Sequence, residues 1–479
     1  MRSYIQNNWL LMKCKFTIYS LIEILHKIEY LLVILKMRLI ISSLKKYSVV
    51  MVMITSSCYF SYSQDTHQNV KAINDKCLLE AYDLTRNCVG FSAPVSGRAF
   101  AYLSVIMYET SVPFIAELKS VTKQFSDFNM SESINDDLSH LSWELVVISS
   151  NIKALNYYYR NMPPASKQRL MTLEQQLKEA YVTGVSANSK LKSIQFGEAI
   201  ATQIIDWSKS DGGDIGFEEN FPESFSPKEC ISCWTKTTPG YLPALLPYWG
   251  ENRTILAGVK EVSNACVVTE FSKDSSSLLF KDAMSLYLNA KDNNPEYETI
   301  AEFWDDSPGY SGTPVGHFFM LALNQTIVEE FSLTESLEMN LKMGIAINDA
   351  IISSWYLKYK YNFIRPITYI QRYIDPQFNS RIPSPPFPEF PSGHSFQSGA
   401  ATTILSEFRK SGALIIDSTN WNREDIIGTP RKFDSYHSLG EEASKSRFYG
   451  GIHFDETLRI SLLYGRKIGA YVNSTLECR

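Results

Sequence analysis

Apolar residues recur at three- and four-residue spacing along most of the chain, the mark of helices that bury one face. The pattern runs through 98–115, 138–162 and 167–182, continues over 187–209 after Thr183-Gly184, and returns at 272–291, 315–331 and 333–362. It predicts further helices over about 394–410 and 454–473. Between these runs lies an irregular stretch from Asp211 to about Asn252, rich in Gly, Pro and aromatic residues. Five prolines between Pro383 and Pro391 force that segment to be extended. A polar stretch up to about residue 440 reads as irregular, and short strand pairs are expected only within 211–270. No fixed-period repeat is present. The fold class that follows is all-α, built from stacked helical bundles.

The first 63 residues differ from the rest. Residues 37–63 pair a basic start (Arg38, Lys45, Lys46) with an apolar run and the small residues Ser61 and Ser63. That is the pattern of a secretory signal cut before Gln64, with the residues before Met37 as an upstream extension. A membrane helix around 16–41 is disfavoured by Glu23, His26, Lys27 and Glu29. Cys58 follows Thr55 where a lipoprotein signal would place leucine. The division expected is an extension and signal over 1–63, a helical region with the long loop over 64–270, and a helical region carrying the chemistry over 271–479. After Gln64 no run approaches the ~20 apolar residues of a membrane span, so the mature chain is expected to be secreted or periplasmic with no stable span. The formal net charge of -5 argues against a nucleic-acid partner, which calls for a basic chain. Cys77, Cys88, Cys230, Cys233, Cys266 and Cys478 follow the signal, and an even count in an exported chain favours disulfides. Cys77–Cys88 is expected as a local pair and Cys230–Cys233 as a structural disulfide. A second CxxC, which a zinc ribbon needs, is missing.

Three segments of the C-terminal half carry chemistry. In WYLKYKYNFIRP (355–366), Lys358 and Arg365 lie two helical turns apart, which would place both on one helix face, with Pro366 pulling Arg365 to the helix end. Two cations with no interposed acid suit a multivalent oxyanion; a solvated basic face is the ordinary alternative. In FPEFPSGHSFQSG (387–399), Ser392 offers a hydroxyl, Gly393 an unobstructed N–H and His394 a titratable ring at a helix entrance. A proline-rich turn with a serine cap would read the same way. In SRFYGGIHFDE (446–456), Gly450-Gly451 supply the break that can turn both Arg447 and His453 inward, and Asp455 and Glu456 fit the first turn of the last helix. A loop with a packed histidine is the alternative here.

The order K-x6-R-P, P-S-G-H, S-R-x5-H resembles the vanadium-dependent haloperoxidases and, with them, the type 2 phosphatidic acid phosphatases and acid phosphatases. Residues 90–110, 238–250 and 300–319 are similar to the helical scaffold of the soluble bacterial haloperoxidases, so the likeness spans most of 70–470. It implies a vanadate (vanadium(V)) cofactor, hydrogen peroxide and halide as substrates, and small organic acceptors. It implies that Lys358, Arg365, Ser392, Gly393, His394 and Arg447 cradle the anion, that His453 is the metal ligand, that His394 moves protons, and that Lys358 polarises bound peroxide. Trp355, Phe387 and Ser395 are expected to line the substrate pocket. Phe387 stands where algal bromoperoxidases carry histidine, and the soluble bacterial type leans to iodide, alone or with bromide. A soluble acid phosphatase acting through a phospho-histidine on the same residues is the alternative; a non-catalytic oxyanion-binding protein is a third reading.

Other polar residues receive ordinary roles. His317 is expected to be core packing, His437 and Asp434 to lie in a surface loop, and Asp349 to be structural on the helix face opposite Lys358. The DGGD run (211–214) lacks the further acids of a calcium loop and reads as a turn.

Overall fold

In the computed structural model, which describes residues 66–128 and 138–479, the helical pattern matures into α1 (66–87), α2 (Ala93–Ser111), α3 (Trp143–Tyr158), α4 (Pro164–Tyr181), α5 (Ala187–Ser208), α6 (Val259–Ser263) and α7 (Leu278–Lys291). It continues with α8 (Pro295–Phe303), α9 (Thr313–Val328), α10 (Leu333–Tyr361), α11 (Pro366–Tyr373), α12 (Gly393–Glu407), α13 (Tyr436–Tyr449) and α14 (Asp455–Thr475). The expected signal segment, the extension before it and Cys58 lie outside the described residues. Among the described residues no helix is long and apolar enough to cross a membrane.

The axis of the fold is α10, 29 residues and so roughly 43 Å long. It starts on a capping box. The Ser332 hydroxyl accepts from the Glu335 N–H at 3.2 Å while the Glu335 carboxylate accepts from the Ser332 N–H at 2.8 Å. Its residues are buried nearly all round, as befits a helix with neighbours on every side. On one side α10 packs against α2, which with α3 and α5 makes the N-terminal bundle; on the other it packs against α12, which lies on α14 and α13. Glycine permits the α12–α14 approach, since a Cβ on Gly465 would sit 2.1 Å from the Phe396 carbonyl oxygen. Residues His67–Arg479 make one compact unit.

Several expectations need correction. The single short sheet among the described residues is not within 211–270; it joins β1 (Ile415–Asp417) to antiparallel β2 (Arg431–Phe433). The 211–270 stretch is held instead by isolated bridges such as Cys233 to Phe363. The polar stretch expected to be irregular to residue 440 gives way at Tyr436 to α13, which starts on a serine capping box, Ser435 with Ser438. Its buried residues mix Tyr436, Leu439, Ala443 and Phe448 with Gly440, Ser444, Ser446 and Arg447, so the apolar period is diluted by glycine, serine and a buried cation. Cys77 and Cys88 are both reduced and buried. Eleven residues of helical rise hold their Cα atoms roughly 16 Å apart, beyond any disulfide. Cys230–Cys233 does form a disulfide. It braces the segment after α10, where the Ile364 N–H reaches the Ser232 carbonyl at 2.9 Å and the Trp234 N–H the Asn362 carbonyl at 2.8 Å.

Candidate active site

The three motifs converge on one cavity of about 820 Å³, whose wall includes Trp355, Phe387, Gly393, His394, Arg447 and His453. Lys358 and Arg365 are fully buried beside it, though not by the route expected. They do not share a helix face. Asn362 takes a left-handed conformation (φ 46°) and ends α10, and Arg365 becomes the extended N-cap of α11 ahead of Pro366. The Lys358 ammonium donates to the backbone carbonyls of Pro388 (3.0 Å), Glu389 (3.2 Å) and Pro391, and so ties the proline-rich segment to α10. The Arg365 guanidinium donates to the carbonyls of Phe387 and Ile452, both at 2.9 Å. Both cations stand over the Phe387 ring, at 4.7 and 4.9 Å from its centroid, and Phe387 packs on Trp355 at 5.1 Å.

Ser392 caps α12, its hydroxyl oxygen accepting from the Ser395 N–H at 3.2 Å. Gly393 admits the Trp355 ring, which a Cβ there would meet at 2.9 Å. Ser395 is the exception among the expected pocket residues. It is fully buried, donates to the Ser392 hydroxyl at 2.9 Å and meets the Ser444 hydroxyl at 2.8 Å, so it buttresses the cap and does not line the cavity. The third position of a helix points back at its cap, which is why it turns away. Arg447, in the last turn of α13, donates to the Ser446 hydroxyl (2.9 Å) and the Ala301 carbonyl (3.0 Å). The chain then reverses at Gly450-Gly451, Gly451 at φ 80°, and delivers His453 to the same cavity.

His453 is held on both sides. Its Nδ1 lies 2.8 Å from Glu389 Oε1 and its Nε2 lies 3.2 Å from Arg365 Nη1. Glu389 is fully buried and also accepts from the Phe454 N–H (3.2 Å) and the Thr457 hydroxyl (3.0 Å). Burial pushes its carboxyl up to about 7 against the pull of Arg365 and Lys358. Burial lowers the cations too: Lys358 falls well below the ammonium range, with Arg365 adding to the fall, Arg365 drops to about 10, and Arg447 is also lowered. Burial, followed by the neighbouring cations, holds His453 far below the usual imidazole value; burial and Arg447 do the same to His394. Both rings are therefore neutral near pH 7.

Two buried nitrogens at this site have no partner among the described residues, Arg365 Nη2 and His394 Nε2. Gln397, one turn on from His394 and also on the cavity wall, has both ends of its amide unpartnered. Three buried cations held below their ordinary values, with unpaired N–H donors, a helix N-terminus and a histidine nitrogen beside them, fit a multivalent tetrahedral oxyanion that also takes one nitrogen ligand.

Sequence reasoning did not single out Glu389 or Gln397, although both stand in the quoted FPEFPSGHSFQSG run, nor Asp306, which also lines the cavity. The signal for Glu389 was an acid set among prolines and aromatics. Asp306 Oδ2 lies 2.8 Å from His317 Nδ1, and His317 Nε2 lies 2.8 Å from Asp417 Oδ2. His317 is thus core packing, as expected, stacked on Trp304 at 4.8 Å, and Trp304 in turn meets the His394 ring edge-on. His437 and Asp434 are exposed and away from the cavity wall. Asp349 accepts from the N–H groups of Ile255 and Leu256, a structural role. In the DGGD turn, Asp211 pairs with Arg98 at 2.7 Å and Asp214 with Arg98 and Arg160.

An all-α bundle with one cationic oxyanion cavity defines the class. A family model described as the VCPO second helical-bundle domain matches residues 338–478. The crystal structure of the first bacterial vanadium-dependent iodoperoxidase is similar, with TM-score 0.74 and 25% identity, over 85% of this chain and 97% of that one. Holo and apo crystal structures of a bacterial vanadium-dependent chloroperoxidase share the fold at 14% identity. Their TM-scores are 0.58 and 0.57, over 80% of this chain and 91% and 92% of theirs. No curated protein sequence matches significantly. Residues 338–478 thus match the second helical-bundle domain of that family, and the chain as a whole is similar to bacterial vanadium-dependent haloperoxidases in fold.

Proposed function

We propose that the protein is an exported vanadium-dependent haloperoxidase that oxidises halide with hydrogen peroxide to hypohalous acid, iodide foremost and bromide second. The observation that carries this is the pair of unpartnered nitrogens, Arg365 Nη2 and His394 Nε2, in a site whose three buried basic groups are all held below their ordinary values. Vanadate fits this donor set. Arg365, Arg447 and Lys358 balance its charge, the Ser392 hydroxyl and the Gly393 N–H hold oxygens, and His453 Nε2 is the ligand. Vanadate bound there supplies a Lewis-acid centre that activates peroxide towards halide.

The chain's own groups do the rest. Neutral His394 takes the peroxide proton at Nε2 and returns one to the departing oxygen. Lys358, held by its carbonyls against the proline-rich segment, keeps its amino group in a fixed place beside the reacting oxygens without having to reorganise. Trp355 and Phe387 close the halide side with apolar surface, which suits large, weakly hydrated iodide. The 820 Å³ of cavity leaves room for small organic acceptors beyond the peroxide and halide.

One assay pair tests the reading. Purified protein given orthovanadate should oxidise iodide, and bromide more slowly, only when peroxide is present. Vanadate-free protein should leave phosphate esters intact. Phosphate-ester hydrolysis without halide oxidation at any vanadate level would give the site to an acid phosphatase instead.

A further inference from the structure

Glu389 belongs to the proline-rich segment but reaches all three motifs. Its backbone carbonyl accepts from Lys358 of the first, its own N–H donates to the Phe363 carbonyl at 2.9 Å, and its carboxyl accepts from His453 of the third. A buried acid between Pro388 and Phe390 is costly unless every lone pair is used. Here the Phe454 N–H and the Thr457 hydroxyl share the carboxyl with the histidine, which locks it in place. On the opposite side of the imidazole stands Arg365 Nη1, 3.2 Å from Nε2. A guanidinium can only donate, so Nε2 must be the acceptor, and in a neutral ring the proton then sits on Nδ1, facing Glu389.

We infer that Glu389 is a positioning residue that fixes His453 as the Nδ1–H tautomer and thereby sets how tightly the site holds an anion that bonds to Nε2. This rests on the vanadate reading of the site. A proton on Nε2 would block the ligand lone pair, and a carboxyl accepting at Nδ1 makes Nε2 a stronger donor to a metal; loss of such an outer partner typically costs about 10–100-fold in affinity. The inference separates two anions that the cationic cradle alone does not. Vanadium accepts a fifth ligand from the imidazole, whereas inorganic phosphate is held by charge and hydrogen bonds. Glu389 should matter for the first and not for the second.

The test starts with the wild-type protein carrying ¹⁵N-labelled histidine and no added anion. The His453 resonances, assigned by their loss in His453→Gln, should report a protonated Nδ1 and a bare Nε2; a protonated Nε2 in the wild type overturns the proposal without any variant. Glu389→Met, which keeps the volume and cannot accept, should shift the ring towards the Nε2–H form. By calorimetry it should lower orthovanadate affinity about 10–100-fold while phosphate affinity stays within about threefold. Glu389→Gln can still accept at Nδ1 and should retain wild-type affinity within a few-fold. Equal losses for vanadate and phosphate in Glu389→Met would mean a merely structural carboxyl and sink the idea. If the wild type does not bind vanadate at all, the functional reading fails, while the tautomer measurement still decides the role of Glu389.

Discussion

His453 and His317 are both buried against carboxylates at 2.8 Å, yet their ring nitrogens are spent differently. His317 gives one nitrogen to Asp306 and the other to Asp417. With two acids facing it, its pKa is raised to about 10 against the cost of burial, and near pH 7 it is an imidazolium with nothing left to offer. His453 meets one acid, Glu389, and on its other side only cations, so it stays neutral with a lone pair towards the cavity. The number of carboxylates, one or two, separates the neutral buried ring from the charged one. The acids also differ in what surrounds them. Desolvation dominates at Glu389 and raises it to about 7, while at Asp306 the charged His317 outweighs burial and the carboxylate is held below its usual value.

The largest effect that breaks this comparison is expected from His453→Ala. Vanadate affinity should fall by more than the ~100-fold that an outer partner is worth, and halide oxidation with it, in a protein that still unfolds cooperatively in urea. Tight vanadium retention in that variant would refute His453 as ligand. His317→Gln should do the reverse. It leaves two buried carboxylates without their shared cation, and breaking such a group costs ~3–5 kcal/mol, read as a loss in the equilibrium unfolding free energy. A smaller change sharpens the contrast: Asp417→Asn leaves His317 with a single carboxylate. The ring should then titrate at lower pH by ¹⁵N NMR, and stability should drop by ~1–3 kcal/mol. An unchanged His317 titration would mean that Asp306 alone holds its charge.

The site was legible in the sequence where chemistry is written as local spacing. Lys358, Arg365, Ser392, Gly393, His394, Arg447 and His453 sit in three short motifs, and all of them come to one place. What was not legible is pairing at a distance. The Glu389–His453 contact spans 64 residues and His317–Asp417 spans 100, and nothing local distinguishes the acid that will be buried from one that will not. Local geometry also misled twice. A seven-residue step from Lys358 to Arg365 implies one helix face only if the helix continues, and the left-handed turn at Asn362 ends it. Ser395 follows His394 but, as the third residue of α12, bends back to the cap. The long helix α10, rich in apolar residues, was readable by period; α13, whose Tyr436, Leu439 and Phe448 are diluted by buried glycine, serines and Arg447, was not.

A pH dependence of stability also separates the two histidines, and reading it needs no ligand in the cavity. His317 is raised from 6.5 to about 10 in the folded protein. A group raised in this way contributes stability that is complete below its unfolded value and is lost as pH climbs towards its folded one. The groups facing it are Asp306 and Asp417 at contact distance and His394 beyond Trp304, with Arg423 near Asp306. Only His317 among them changes charge between pH 6.5 and 10, since His394 is already neutral there and Asp306 is ionised. The unfolding free-energy difference between the wild type and His317→Gln, measured by urea titration, should therefore shrink from about pH 6.5 towards pH 10. The His317→Gln protein, less stable at pH 6, should lose less over that range, so that the two curves converge on the alkaline side. Parallel curves would show that the imidazolium between the two aspartates is not what the alkaline limb reports. His453, neutral across the same interval, should leave no such trace, so that His453→Ala follows the wild-type slope.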